Sequence, residues 1–324
     1  MDKAWKETLS MLAQGELVSG AKIGEHLGIS RTAVWKHLNQ LQEWGVSIKK
    51  IKGQGYYIEN GIELLSHAGI VEAMSPESTE LLGELQLLDN IDSTNSFVRG
   101  KVDAGAERGF VCLAERQSQG RGRHGREWVS PFGRNIYLSL SWHFDEGVAA
   151  LEGLSLAVGV VVARVIESFG VKNVALKWPN DILLGRRKVG GVLLEMMGDP
   201  VGNCQVIVGI GINLGMSEEA AIDQPWADLA NDEQISRNAL ASALLSELLL
   251  TLEAYSTRGF SAYRNQWEHL DAYRDSPIKL ITRRMTVRGL GRGVSATGAI
   301  QIEVDGHIES YSGGEISLRS DDDS

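Results

Sequence analysis

The chain has 324 residues, is 43% hydrophobic and 23% charged, and carries a formal net charge of -10. That is the composition of a soluble globular protein, and the length calls for two or three domains rather than one core. The acidic balance excludes nucleic-acid or membrane-surface binding by the molecule as a whole, so any such contact must be local. Cys112 and Cys204 lie far apart in apolar, strand-like stretches, and no Cys/His spacing resembles a metal site, which fits a reducing cytoplasm. The start has no signal-like apolar segment, and the longest apolar run, near Leu154 to Ala163, is too short to span a bilayer.

Trp5 to Ala13 has helical apolar spacing, and a second short helix is expected from Gly20 to Leu27. Ser30 is a suitable N-cap for a third helix through Trp44, with Val34, Leu38 and Leu41 as its buried stripe. This is a helix-turn-helix pattern, whose third helix turns Arg31, Thr32, Lys36, Asn39 and Gln40 to solvent. Val46 to Ile51 and Tyr56 to Ile58 follow as two strands joined by Lys52-Gly53-Gln54-Gly55, with Lys50 adding charge, which makes a winged helix. Residues 1–60 hold eight Lys/Arg against six Asp/Glu, a local positive surplus in an acidic chain. DNA binding and a trihelical protein-contact unit are both open on this pattern, and the wing and the polar face favour DNA.

Residues 62–84 form a polar connector with one short helix. A strand at Leu85 to Ile91 then runs into Asp92-Ser93-Thr94-Asn95 and a helix to Val102, which brings hydroxyls and helix-start N–H groups together. A plain N-cap is the bland reading of that junction. Gly109 to Ala114 is a strand that leads into Gln117-Ser-Gln-Gly-Arg-Gly-Arg-His-Gly-Arg-Glu-Trp128. With Arg116, this stretch places four arginines within eleven residues and has no acidic side chain between them. Gly120, Gly122 and Gly125 allow positive φ and close backbone approach, so a mobile loop that orders on an anion is expected, against a solvated basic loop or an RNA-binding segment.

Asn135 to Trp142 alternates as a strand, and Leu151 to Phe169 is a buried helix. Val174 to Leu184 is a strand interrupted at Lys177-Trp178-Pro179-Asn180-Asp181, where Pro179 requires an edge or a bulge. Gly185-Arg186 turns into a strand from Lys188 to Glu195, and Gln205 to Leu214 is another, with Gly209 and Gly211 read as points of close backbone approach. Ala239 to Tyr255 is an amphipathic helix, and a further helix follows through Trp267. From Pro277 on, five short strands (Ile278 to Ile281, Met285 to Leu290, Ala299 to Val304, His307 to Tyr311, Glu315 to Leu318) suggest a small β-barrel. Strands run in blocks with helices around them, so the fold class is α+β.

No Ser-His-Asp set, carboxylate pair or metal cluster stands out. The candidate groups are Arg, Lys, Asn, hydroxyls and backbone N–H, which bind anions and stabilise charge. Activation of a carboxylate by ATP needs only that, because the nucleophile is already ionised.

Together the motifs resemble those of the bifunctional biotin protein ligase and biotin operon repressor family, over nearly the whole chain. The carriers are Ser30 to His37, Asp92-Ser93-Thr94-Asn95, Gly120 to Arg126, Lys177-Trp178-Pro179-Asn180-Asp181, Lys188 with Gly191, Gly209-Ile210-Gly211-Ile212-Asn213, and Gly313-Gly314-Glu315-Ile316-Ser317. The resemblance implies a winged helix-turn-helix domain at 1–62, a class II synthetase-like catalytic domain on a mixed sheet at 63–275, and an SH3-like β-barrel at 276–324. It implies that biotin and MgATP form biotinyl-5'-AMP and pyrophosphate, and that a lysine of a biotin carboxyl carrier protein then takes the biotinyl group, with no permanently bound cofactor. It places Ser93, Thr94, Asn95, Gln117, Gly120, Arg121, Gly122, Arg123 and Lys188 around biotin, and Trp128, Asn180 and Asn213 on the nucleotide, although Trp128 by itself reads equally as a core aromatic. Arg121, Arg123, Lys188, Lys177 and Asp181 would carry the chemistry, with Asp181 acting on the incoming lysine. Ser30, Arg31, Thr32, Trp35, Lys36, Asn39, Lys50 and Lys52 would meet operator DNA. A homodimer through an exposed edge strand at Val189 to Glu195 is also implied. The loop carries a histidine, His124, where family members often have another basic or polar residue, which makes its charge partly pH-dependent. Two rivals are a lipoate or octanoate ligase and a biotin-sensing repressor without transfer activity.

Overall fold

The computed structural model describes residues 3–59, 61–145, 147, 151–198, 202–216, 222–230, 235–282, 285–313 and 316–321. The N-terminal unit has α1 (Lys3–Leu12), α2 (Gly20–Leu27) and α3 (Arg31–Glu43), followed by β1 (Ile48–Ile51) and β2 (Gly55–Ile58) as an antiparallel wing. Ser19 and Ser30 cap α2 and α3 by accepting from Lys22 N–H at 3.1 Å and Ala33 N–H at 3.2 Å. Trp5, Leu9, Ile23, Val34, Leu38, Leu41 and Ile58 form its core. That core also takes in Phe132 from the far end of the basic loop, whose ring lies 5.4 Å from Trp5 and 5.8 Å from Trp44. The head therefore completes its core with Phe132, a residue far beyond its own wing in sequence.

The connector holds two short helices, α4 (His67–Val71) and α5 (Pro76–Leu81), rather than one. Then come β3 (Glu84–Leu88), α6 (Thr94–Asp103), β4 (Phe110–Ala114), β5 (Ile136–Phe144), α7 (Leu154–Ser168), β6 (Val174–Lys177), β7 (Asp181–Leu184), β8 (Arg187–Gly198), β9 (Cys204–Ile212), α8 (Arg237–Arg258) and α9 (Ser261–Leu270). The strands make one seven-stranded sheet in the order β3-β4-β5-β9-β8-β7-β6, with only the β3–β4 pair parallel.

Side-chain alternation gives this sheet two unlike faces. Leu138, Leu140, Val206, Val208, Ile210, Ile212 and Val192 point into the main core with α7 and α8. Cys112 and Ile207 instead join Val98 and Val102 of α6. On β9, the positions of that second face toward its C-terminal end are Gly209 and Gly211, so the sheet surface is stripped to backbone there. α8 is long and apolar enough, by length and composition, to cross a membrane, which the shorter run at Leu154 to Ala163 is not. Here Leu240, Leu244, Leu248 and Leu252 are fully buried in the core.

Two expectations need correcting. Val174 to Leu184 is not one interrupted strand but the two strands β6 and β7, and Lys177 to Asp181 is the turn between them, at the sheet edge that Pro179 called for, with a cis Trp178–Pro179 peptide. Val189 to Gly191 is not an edge, because β9 flanks β8 on one side and β7 flanks Arg187–Gly191 on the other. Among the described residues, the outer edge of β8 is open to pairing only beyond Val192, whose N–H is taken by the Asn180 carbonyl at 2.9 Å.

The C-terminal unit is a five-stranded antiparallel sheet, β10 (Pro277–Ile281), β11 (Thr286–Val294), β12 (Ile300–Val304), β13 (His307–Tyr311) and β14 (Ser317–Ser320), in the order β13-β12-β11-β10-β14. Ile278, Leu280, Val294, Ile300, Ile302 and Leu318 continue the central core, and Trp178 Nε1 donates to the Gly298 carbonyl at 3.0 Å. Glu315 of the expected last strand, and Gly314 of the Gly313 to Ser317 motif, lie outside the described residues.

Candidate functional site

The bare face of the sheet is the floor of a cleft of about 1120 Å³. One wall is the start of α6. Ser93 occupies the N-cap position, yet its hydroxyl makes no capping bond, so the plain N-cap reading fails. Thr94 instead fixes its N–H and hydroxyl on Gln117 Oε1, at 2.9 and 3.1 Å. Gln117 Nε2 donates to Ser130 Oγ at 3.2 Å, and Ser130 Oγ donates to the Trp128 carbonyl at 2.8 Å. From the floor, Ser139 Oγ lies 2.7 Å from Thr94 Oγ1 and 2.5 Å from Asn95 Oδ1. Ser139 pairs with Gly209 across the strands, and a Cβ at Gly209 would stand 2.1 Å from Asn95 Oδ1. The glycine is thus the space that Asn95 occupies.

The basic loop closes the cleft. It is less irregular than its glycines suggest: Arg123–Gly125 makes one 3-10 turn, Arg121 bridges Glu127, and of the three glycines only Gly125 has positive φ. His124 is the other left-handed residue, at φ 57°. Gly120 does not line the cleft. It is buried against Ser130 and Trp128, where a Cβ would meet Ser130 Oγ and the Trp128 carbonyl, both at 2.6 Å. The Trp128 indole lies on Gly211, which has no room for a Cβ at 2.6 Å from the ring, and Lys188 Nζ stands 5.4 Å from the ring centre.

The same cleft gathers cations. Lys188 Nζ is 2.6 Å from Asp181 Oδ1, and Arg123 Nη1 reaches Asn180 Oδ1 at 3.4 Å. Burial draws the Arg123 guanidinium below its ordinary value, Asp181 counteracts this, and Arg126 adds to it. A positive charge that has lost water is stabilised by an arriving anion. Asn180 is braced by Nδ2 donating to the Val192 carbonyl at 2.7 Å. Lys177 and Arg186 stand 5.6 and 4.9 Å from the Tyr273 ring at the mouth, which Arg319 of β14 also lines.

Of the residues singled out for small-molecule binding, Ser93, Thr94, Asn95, Gln117, Arg121, Gly122, Arg123, Trp128, Lys177, Asn180, Asp181 and Lys188 all border this cleft. Asn213 does not. It is buried, donates from Nδ2 to the Ala227 carbonyl at 3.1 Å, and lines a smaller hollow that shares Trp128 and Lys188 with the cleft. Sequence reading missed Ser130, Ser139, Glu195, Tyr273 and Arg186, since nothing in a strand such as Ile136–Phe144 says which neighbour a serine will meet. Parity with Gly209 would have been the only signal.

On the head, Arg31, Thr32, Trp35 and Lys36 are exposed on α3, Asn39 is half-buried, and Trp35 is 54% exposed. Lys50 and Lys52 are exposed on the wing, with Lys50 Nζ 5.7 Å from the Tyr56 ring. The Ser30 hydroxyl accepts the capping bond of α3.

Residues 87–213 match the Biotin/lipoate A/B protein ligase family, and residues 5–57 match an HTH domain. The chain is 40% identical over 315 residues to the bifunctional ligase/repressor BirA of Escherichia coli, covering 96% of each chain. It is 30% identical over 325 residues to the Bacillus spizizenii protein of the same name, covering 97% of this chain and 98% of that one. Among solved structures, the biotin protein ligase of Aquifex aeolicus in complex with biotin and ATP superposes with a TM-score of 0.64 at 28% identity, over 73% of this chain and 99% of that one. With a helix-turn-helix head, a hydroxyl-and-amide wall and a cation cluster lining one cleft, and near full-length similarity to bifunctional ligase/repressors, this chain belongs to the BirA family of bifunctional ligase/repressors.

Proposed function

We propose that the protein activates biotin with ATP and transfers it to a lysine of a biotin carboxyl carrier protein in the cytoplasm, and that the ligand-bound homodimer represses biotin-synthesis genes at an operator. The observation that carries this reading is the convergence, in one cleft, of a neutral hydrogen-bonding wall with a cation cluster. Ser93, Thr94, Asn95 and Gln117 suit a urea, which offers both donors and an acceptor. Gly122, Arg121, Arg123 and Lys188 suit its carboxylate and the phosphates beside it. Trp128 suits adenine by stacking, with Asn180 at the nucleotide; Asn213 acts there through the backing of Trp128 and Lys188.

In the first step a biotin carboxylate oxygen attacks the α-phosphorus, the α–β phosphoanhydride bond breaks, and pyrophosphate leaves. Arg121, Arg123 and Lys188 bring two anions together and spread the charge that grows in the transition state, while Lys177 draws the departing pyrophosphate. Mg²⁺ enters with ATP as part of that substrate; among the described residues no group of three His, Cys, Asp or Glu converges as a metal site. In the second step the neutral lysine amine attacks the acyl carbonyl, the acyl–phosphate bond breaks and AMP leaves, with Asp181 orienting the amine or taking the proton it loses once a substrate anion competes for Lys188. The division into 1–62, 63–275 and 276–324 follows the three sheets, with Arg31, Thr32, Trp35, Lys36, Asn39, Lys50 and Lys52 contacting DNA, and Ser30 holding the start of the reading helix. The β8 edge beyond Val192 is the surface for pairing two subunits.

Biotin-dependent exchange of labelled pyrophosphate into ATP, run beside lipoate and octanoate on wild type and Arg123→Ala, tests the reading. Exchange with biotin alone, lost in the variant, is expected. Exchange with lipoate or octanoate instead would give the site to that class, and no exchange with any acid would leave a sensor-repressor.

A further inference from the structure

Beside the cleft, on the sheet face that forms its floor, Glu195 is an acidic side chain that the activation chemistry does not call for. Glu195 is on β8, two residues beyond Leu193, which lines the cleft, and opposite Ile207 on β9. Its Oε1 lies 3.1 Å from Arg121 Nη2 and its Oε2 3.5 Å from the same nitrogen. Oε2 also accepts from Asn95 Nδ2 at 3.2 Å. Asn95 is thereby held at both ends, since its Oδ1 accepts from Ser139 at 2.5 Å. With both hydrogen bonds made, the amide cannot flip, and its remaining lone pair and N–H point in set directions. Arg121 is the first arginine of the basic loop and is otherwise tied by its backbone bridge to Glu127. One carboxylate thus joins a residue of the fixed wall to a residue of the closing loop, across three separate chain segments.

We propose that Glu195 is a positioning residue for substrate binding, setting the orientation of Asn95 and drawing the loop down over the sheet through Arg121 before substrate arrives. This rests on the cleft being the biotin-activation site. The ion pair is part-exposed, with Arg121 39% and Glu195 21% accessible, so its hold on the loop is modest and a substrate anion can share Arg121. The bond to Asn95 is charge-assisted and lies deeper, so more of the effect on affinity runs through the wall.

Two variants separate the contacts. Glu195→Ala removes both, and Glu195→Gln keeps an acceptor for Asn95 while discharging the pair with Arg121. For Glu195→Ala, the KM for biotin in pyrophosphate exchange is expected to rise about tenfold, more than kcat falls. Tryptic cleavage after Arg121, Arg123 and Arg126 in the ligand-free protein is expected to speed up about fivefold, with protection restored by biotin and ATP. Glu195→Gln should show the same faster cleavage with a smaller rise in KM, about twofold. Unchanged biotin KM and unchanged cleavage in a Glu195→Ala protein with a wild-type thermal transition would overturn the proposal, as would a KM that falls, which would make Glu195 a competitor of substrate. A wild type with no biotin-dependent exchange would instead sink the activation-site reading, and the cleavage rates would still decide whether Glu195 holds the loop.

Discussion

Gly209→Ala is the sharpest test of how the wall is built. Gly209 is in the middle of β9, between Ser139 on β5 and Leu193 on β8, so its backbone is fixed by two ladders and cannot retreat. A methyl there would be 2.1 Å from Asn95 Oδ1, 2.9 Å from its Cγ and 3.0 Å from its Nδ2. Ordinary contact begins near 3.4 Å, so Asn95 must move by roughly an ångström, which is enough to break a hydrogen bond. Two are at stake, one to Ser139 at 2.5 Å and one to the Glu195 carboxylate at 3.2 Å. A neutral bond contributes about 1 kcal/mol and one to a charged group about 1.5–3 kcal/mol, for a total of about 2–4 kcal/mol. If the wall is where biotin's urea binds, the KM for biotin in pyrophosphate exchange should rise roughly 30-fold or more, with that for ATP changing much less. Gly211→Ala provides the contrast, because its methyl meets the Trp128 indole at 2.6–2.8 Å and should weaken ATP binding more than biotin binding. A folded Gly209→Ala protein with wild-type biotin KM would refute the placement of Asn95 in the wall.

Arg237 bridges both ends of the basic loop, donating to Glu115 Oε2 at 2.7 Å and to the Asn135 carbonyl at 3.0 Å, with side chains only 4% and 7% exposed for the ion pair. Arg237→Met strands the Glu115 carboxylate in the interior and should cost about 3–5 kcal/mol in urea unfolding, whereas Arg237→Met with Glu115→Gln should recover part of it. Burial pushes the Asp271 carboxyl up to about 6, against the Tyr273 N–H and Arg274 and with help from Glu268 and Asp275. The folded protein therefore holds a proton that the unfolded chain has released, and this contribution to stability is lost as pH rises from about 4 through 6. Asp271→Asn should raise stability at pH 7.5 by on the order of 2 kcal/mol and flatten the pH dependence across that window, read as Tm against pH. Trp35→Ala should weaken operator binding severalfold while leaving biotin-dependent pyrophosphate exchange at the wild-type rate, because Trp35 is exposed on α3 in the head and does not border the cleft.

The sequence by itself determined the elements whose signal is local. The helices of the head follow from apolar spacing and from Ser30 as a cap, and the central strands from alternation. The Arg-Gly loop, the Ser-Thr-Asn junction and the polar interruption at Lys177 to Asp181 were legible as unusual local clusters of polar residue types, although the turn that divides that last stretch into two strands was not. Even the glycines of β9 read correctly as close approach, since Val206, Val208, Ile210 and Ile212 alternate against them. What they approach was decided only by the tertiary structure. Asn95 fills the space at Gly209 and Trp128 the space at Gly211 because α6 and the loop are folded onto that face. The same holds for Ser139, Glu195 and Arg237, ordinary residues in ordinary strand or helix patterns whose partners are 44 to 174 positions away. It holds for Phe132, which completes the core of the head, and for the β8 edge, which β7 covers up to Gly191. Local pattern records which face of an element is apolar, but a polar contact between distant segments depends on chain topology and leaves no period in the sequence.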